Sequence, residues 1–267
     1  MDASFLWWVL AIPPLWLGLR WFERINLFSP SRDLDEDPSA RGLAFEDLHL
    51  TAADGTSIHA WFVPLKPQSP VLVFCHGNAG NISHRLDKLM ILRRAGASVL
   101  LFDYRGYGRS SGRPDEQGIY LDAEAAYRWL AEEKKISADR IAIHGESLGG
   151  AVAMELALRR RASGLILEST FTSVVDMCKH AFPFLPANLL VRFRYDTLSK
   201  ISKLSCPVLV MHSQDDDIVP FAMGRRLFDA APGPKTFFEM RGSHNEGFLD
   251  MGPAYEKAMA DFLSILR

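Results

Sequence analysis

Cysteine is scarce in this chain: three residues, Cys75, Cys178 and Cys206, among 267. So few thiols, odd in number, exclude a disulfide framework as the source of stability. Cys75 stands inside the apolar run VLVFCHG and reads as a small core residue. Neither a CxxC nor an HExxH spacing occurs, so no metal site is expected. An excess of charge of one sign is missing too. Thirty Lys and Arg face 32 Asp and Glu, for a net charge of −2. With no surplus of cations to neutralise phosphates, nucleic acid is excluded as a partner. Internal repeats and low-complexity tracts are absent as well. What remains is an ordinary globular composition, 48% hydrophobic and 23% charged, long enough to bury a core without cross-links. The length suits one large α/β domain or two small ones.

Charge is locally absent at the N-terminus. ASFLWWVLAIPPLWLGL, residues 3 to 19, carries no ionisable side chain and three of the six tryptophans. This is the short end of what spans a bilayer as a helix. Only Asp2 precedes it, with no basic n-region and no small-residue cleavage site, so a signal peptide is not expected. Residues 1 to 28 are therefore expected to anchor the chain to a membrane, the alternative being an amphipathic or core-packing helix. Pro13-Pro14 would kink a spanning helix. Arg20 and Arg24 follow the segment, and the positive-inside tendency then places the remainder on the cytoplasmic side. SPSRDLDEDPSARG, residues 29 to 42, is polar and proline-bearing and reads as a linker.

From residue 43 to 267, short apolar runs alternate with helical patterns. LAFEDLHLTA and TSIHAWFVP flank Asp54-Gly55, a hairpin signal. VLVFCHG, SVLLFDY, RIAIHGE, GLILEST, PVLVMHS and KTFFEM are nearly all apolar, as strands buried on both faces should be. The alternation predicts an α/β fold: a mostly parallel, eight-stranded sheet with helices on both faces. The one long gap between strands, residues 171 to 205, is rich in Phe, Pro and Leu and is expected to form a small cap. Phe182, Phe184, Leu185, Leu189 and Leu190 in it either line an acyl pocket or cover the sheet edge.

Ligands in such sheets sit at the carboxyl ends of the strands. There the run RIAIHGESLGG places Ser147 in a tight strand-to-helix turn between Gly145 and Gly149. A structural turn has no need of a hydroxyl at that point, whereas a nucleophile does. Glycines on either side remove side chains that would crowd a strained turn. Serine needs a base to take its proton and a third group to orient that base. The helix after Ser147 leaves its first N–H groups unpaired, so the Leu148 amide can receive an oxyanion. A second donor is expected from the turn after VLVFCHG.

GESLG after one strand, HGNAGN after an earlier one and DYRGYGRSSG after the next resemble the α/β-hydrolase superfamily. The likeness covers about residues 45 to 267 and points to the membrane-anchored, small-cap branch, the Bem46-like and ABHD13/ABHD17-like serine hydrolases. It implies an α/β-hydrolase fold and a nucleophile–acid–histidine chain order. His244, in RGSHNEGF, is then the base, since it alone of the eight histidines lies beyond the acid. HSQDDDIVP offers Asp215, Asp216 and Asp217; laid on the family's His-Gly-x-x-Asp-x-x-Val-Pro loop, the acid falls on Asp216, with Ser213 in place of the usual glycine. The His-Gly-x match nominates the Asn78 amide as the second oxyanion donor beside Leu148. The implied activity is hydrolysis of carboxylic esters without a cofactor. With an apolar cap and an anchor, lipid-like acyl esters are the expected substrates. A serine peptidase and a catalytically silent membrane module are the alternatives, and oligomeric state is not legible. For a peptidase, this chain has no room for the propeller or larger cap such enzymes carry.

Overall fold

The computed structural model describes residues 3 to 266; the side chains of residues 3 to 13 and 15 lie outside the described set. The strands are β1 (Ser29–Pro30), β2 (Glu46–Thr51), β3 (Ser57–Val63), β4 (Val71–Cys75) and β5 (Ala79–Gly80). They continue with β6 (Ser98–Phe102), β7 (Ile141–Glu146), β8 (Gly164–Glu168), β9 (Val208–Ser213) and β10 (Lys235–Met240). Helices are α1 (Ala3–Leu27), α2 (Leu86–Arg94), α3 (Glu116–Arg128), α4 (Leu148–Arg159) and α5 (Val174–Ala181). They end with α6 (Ala187–Leu190), α7 (Leu198–Ile201), α8 (Phe221–Ala230), α9 (Gly247–Asp250) and α10 (Pro253–Ser264).

Eight strands form one sheet in the order β10-β9-β8-β7-β4-β6-β3-β2. The sheet is mixed. From β10 through to β6 neighbours run parallel, but β3 is antiparallel to both β6 and β2. The reason is local: the Asp54-Gly55 turn folds β2 and β3 into a hairpin, and a hairpin can only be antiparallel. The β3-to-β4 connection then reverses the chain again, and the remaining strands are each reached by a crossover, most of them helical.

The central strands alternate between two apolar layers. Val71, Val73, Ile141, Ile143, Leu165 and Leu167 pack with α3, α4 and α8 on one face. Leu72, Phe74, Ala142, Ile166 and Leu209 pack with α2 and α10 on the other. Side chains one apart point to opposite faces, so a strand buried on both sides must be apolar throughout.

At the N-terminus a 25-residue helix, α1, is present. The expectation that it spans a membrane is not carried by the described part: no helix among the described residues is long and apolar enough to cross. Most of the apolar run falls on residues 3 to 13 and 15, whose side chains lie outside the description. The described half carries Arg20, Glu23 and Arg24, which break the hydropathy. Beyond α1, Phe28 is buried against Phe193 and Tyr195, and β1 pairs in parallel with β5.

Candidate active site

Ser147 links β7 to α4 with φ 54° and ψ −119°. A non-glycine residue at positive φ is strained, and the surroundings must hold it there. They do so by backbone contact. A Cβ on Gly149 would stand 2.0 Å from the Cys75 carbonyl oxygen, and one on Gly145 would stand 2.2 Å from the Gly149 oxygen. The helix start can therefore press onto the end of β4 only with glycine at both positions. The Ser147 amide donates to the Glu168 carbonyl at 2.9 Å, and Thr170 Oγ1 donates to the Ser147 carbonyl at 2.6 Å. Both tie the turn to the end of β8.

His244 Nε2 lies 3.0 Å from Ser147 Oγ, and His244 Nδ1 lies 2.9 Å from Asp216 Oδ2. With a carboxylate at Nδ1, the tautomer that fits is the one carrying its proton there, leaving Nε2 to accept from the serine hydroxyl. Asp216 is fixed independently by the amides of Ile218 at 3.0 Å and Val219 at 2.7 Å. Burial works against its charge, but the hydrogen bonds from His212 and His244 outweigh it and hold the carboxyl well below the usual carboxylate range.

The three adjacent aspartates part company here. Asp217 Oδ1 accepts the backbone amide of His244 at 2.9 Å and so anchors the histidine loop. Asp215 faces Arg241 and the Gly242 amide at 3.4 Å each, on the exposed side. Only Asp216 reaches the imidazole.

Asn78 follows β4, and Leu148 opens α4. The glycine between His76 and Asn78 brings the two segments together: a Cβ on Gly77 would sit 3.7 Å from Ser147 Cβ. The Asn78 carbonyl is held by the Ser29 amide at 3.0 Å and the Tyr107 hydroxyl at 2.7 Å. These bonds fix the Asn78–Ala79 peptide, whereas the Gly77–Asn78 peptide, which carries the Asn78 N–H, is held through its carbonyl by His76 Nδ1 at 2.7 Å. His76 is buried with Nδ1 on the Gly77 carbonyl, and burial with the nearby Arg85 charge pushes it down to about 3. It stays neutral and braces the loop.

Below Ser147 lies a charge network that the sequence did not reveal. Lys88, on α2, is 2% exposed and bonds Glu168, and it stands 3.4 Å from Glu146. Glu168 also accepts from His144 Nε2 at 2.8 Å and the Tyr255 hydroxyl at 2.7 Å. The Lys88 ammonium lies 3.8 Å from the Phe248 ring centroid, four residues past His244. One buried cation therefore joins both carboxylates flanking the nucleophile turn to the histidine loop. An inward-facing lysine between Leu86 and Leu89 is the one sequence signal that marks it.

Of the apolar cap residues, Phe184 is 98% and Leu189 84% exposed, while Phe182 and Leu185 are about half exposed.

Residues 70–197 match the family model of the alpha/beta hydrolase fold. The protein bem46 of Schizosaccharomyces pombe is 33% identical over 275 residues, which cover 96% of this chain and 90% of bem46. Lysophosphatidylserine lipase ABHD12 of Danio rerio is 33% identical over 223 residues, 73% of this chain and 58% of that protein. Among solved structures, an esterase of Pyrococcus furiosus superposes with a TM-score of 0.74 at 17% identity, covering 90% of this chain and 98% of the esterase.

Proposed function

This chain belongs to the α/β-hydrolase family, in its Bem46-like branch, and from that premise we propose that it is a serine hydrolase cleaving carboxylic esters through an acyl-enzyme. The observation that carries the proposal is the line from Ser147 Oγ to His244 Nε2, 3.0 Å, and on from Nδ1 to an ionised Asp216. His244 takes the hydroxyl proton as Ser147 forms its bond to the acyl carbon. Asp216 stabilises the imidazolium without itself taking the proton. The Leu148 and Asn78 amides receive the charge that develops on the carbonyl oxygen. The imidazolium then gives its proton to the departing alcohol oxygen as the ester bond breaks. Water, deprotonated by His244, releases the acid and restores the serine.

Lipid-like acyl esters are the proposed substrates. The likeness to a lysophosphatidylserine lipase supports them, as does the apolar N-terminal run. On this reading residues 1 to 28 bring the enzyme to the membrane, and residues 43 to 267 form the catalytic unit with a cap at about 171 to 205. The catalytic unit is proposed to lie on the cytoplasmic side.

Hydrolysis of p-nitrophenyl esters from acetate to palmitate, by wild type and by Ser147→Ala, tests the reading. Loss of turnover on the order of a millionfold in the variant is expected. A chain-length optimum at medium or long acyl groups supports lipid substrates. Turnover that survives in Ser147→Ala would overturn the mechanism.

A further inference from the structure

Helix α1 is inside-out in its described half. Two of its polar side chains face the protein: Glu23 Oε1 accepts the amides of Arg192 at 2.6 Å and Phe193 at 2.8 Å, and Arg20 donates to the Leu190 carbonyl and to Glu23. Its outward stripe is apolar. Leu17, Trp21 and Ile25, spaced i, i+4, i+8, are 61%, 65% and 43% exposed. A helix bathed in water carries the opposite pattern. The cap segment held by the same contacts repeats the feature, with Phe184 and Leu189 almost wholly exposed between Pro183 and the Leu190 carbonyl that Arg20 grips. Two elements that each expose apolar side chains are thus tied together through Glu23 and Arg20.

We propose that the cap tip around Phe184 and Leu189, together with the outer stripe of α1, forms one lipid-docking surface that sets the enzyme on a bilayer with its cap facing the lipid. The inference deepens the proposed function and rests on its membrane-associated reading.

A lipid occupant is favoured over a protein one by two features. Exposed large apolar side chains on two separate elements, with tryptophan among them, suit the amphipathic depth of an interface. The flanking cations Arg24, Lys179 and Arg192 have no carboxylate partner among the described residues, which suits an anionic headgroup layer. The surface also lies where it is useful. The cap leaves the sheet at Phe171, directly after Thr170, whose hydroxyl bonds the Ser147 carbonyl.

The test uses the full chain and the double variant Phe184→Ser/Leu189→Ser. Sedimentation with phosphatidylcholine vesicles, with and without phosphatidylglycerol, measures partitioning; p-nitrophenyl acetate turnover reports the integrity of the site. The double variant should partition about tenfold or more weakly, since each side chain removed contributes apolar burial. Its acetate turnover should match wild type. The pair Phe184→Trp/Leu189→Phe, which keeps the surface apolar, should partition like wild type. Unchanged partitioning in the serine variant overturns the proposal. So does self-association of the wild type that the serine variant abolishes while partitioning stays the same, which would assign the surface to a second copy. If partitioning falls as expected but neither protein cleaves any ester, docking stands and the hydrolase reading fails.

Discussion

The amide of Ser29 donates to the carbonyl of Asn78 at 3.0 Å, which joins the short strand after the N-terminal helix to the loop beside the nucleophile. The bond is one of several. Ser31 donates to the Gly80 carbonyl and accepts from the Gly108 amide, and Asn81 Nδ2 donates to the Asp33 carbonyl at 2.6 Å. Residues 28 to 35 are thus laced to the loop expected to supply an oxyanion donor. The chain leaving α1 thus pairs with the two residues that follow Asn78, Ser29 with Ala79 and Pro30 with Gly80.

Ser29→Pro removes that amide donor while leaving the chain extended into Pro30. The expected result is a fall in kcat of about tenfold on a soluble ester with KM nearly unchanged. Complete loss of an oxyanion donor costs more, on the order of a hundredfold or beyond, and here the donor is only loosened. Unchanged kcat would show that Asn78 does not depend on the strand for its position.

Asp216→Asn should lower kcat by about ten-thousandfold, because an amide at that position favours the imidazole tautomer that cannot accept the serine proton. Asp217→Asn, which keeps an oxygen for the His244 amide, should cost less than about tenfold, and Asp215→Asn less again. Steady-state kinetics on the three variants ranks them. Equal losses at Asp216 and Asp217 would mean the loop rather than the carboxylate is at work.

Those parts of the site that depend on one local chemistry are readable from the chain. Gly145, Ser147 and Gly149 announce a strained turn because no other residues satisfy its contacts with Cys75 and with one another. The parallel core is readable for the same reason, since strands buried on both faces leave no polar positions. The choice among Asp215, Asp216 and Asp217 was carried only by a family motif; three neighbouring carboxylates differ by backbone direction, which composition does not encode. The direction of β3 follows from how a hairpin meets the rest of the sheet, and no single strand reports it. Lys88 is the clearest omission. Its partners Glu168 and Tyr255 lie 80 and 167 positions away, so nothing near α2 announces them. Phe184 and Leu189 look like any core residues until their exposure is seen.

Gly149→Ala should destabilise the fold by about 3 kcal/mol or more, because the new methyl meets the Cys75 backbone, which has no flexible end to move aside. Chemical denaturation of the purified variant measures this. A loss below about 1 kcal/mol would mean the turn is looser than its contacts imply.

Lys88→Met tests the buried network through its pH dependence. In the native protein, burial alone would raise the Glu168 carboxyl above its ordinary value of 4.5, but the Lys88 ammonium and His144 outweigh it and hold the group below that value. A folded pKa below the unfolded one means the stabilisation is present above about pH 4.5 and is lost as the pH falls through the folded value. Methionine fills a similar volume but removes the largest favourable charge. Burial then dominates, the Glu168 pKa rises above its unfolded value, and the sign reverses: the variant should lose stability as the pH climbs from about 4 towards 7. Uncompensated burial of Glu168 should cost about 3 to 5 kcal/mol near neutrality, and the double variant Lys88→Met/Glu168→Gln should recover part of it. Thermal melts of wild type, single and double variants across that range decide the matter. Parallel Tm curves in all three would show that Lys88 holds no charge balance beneath the nucleophile.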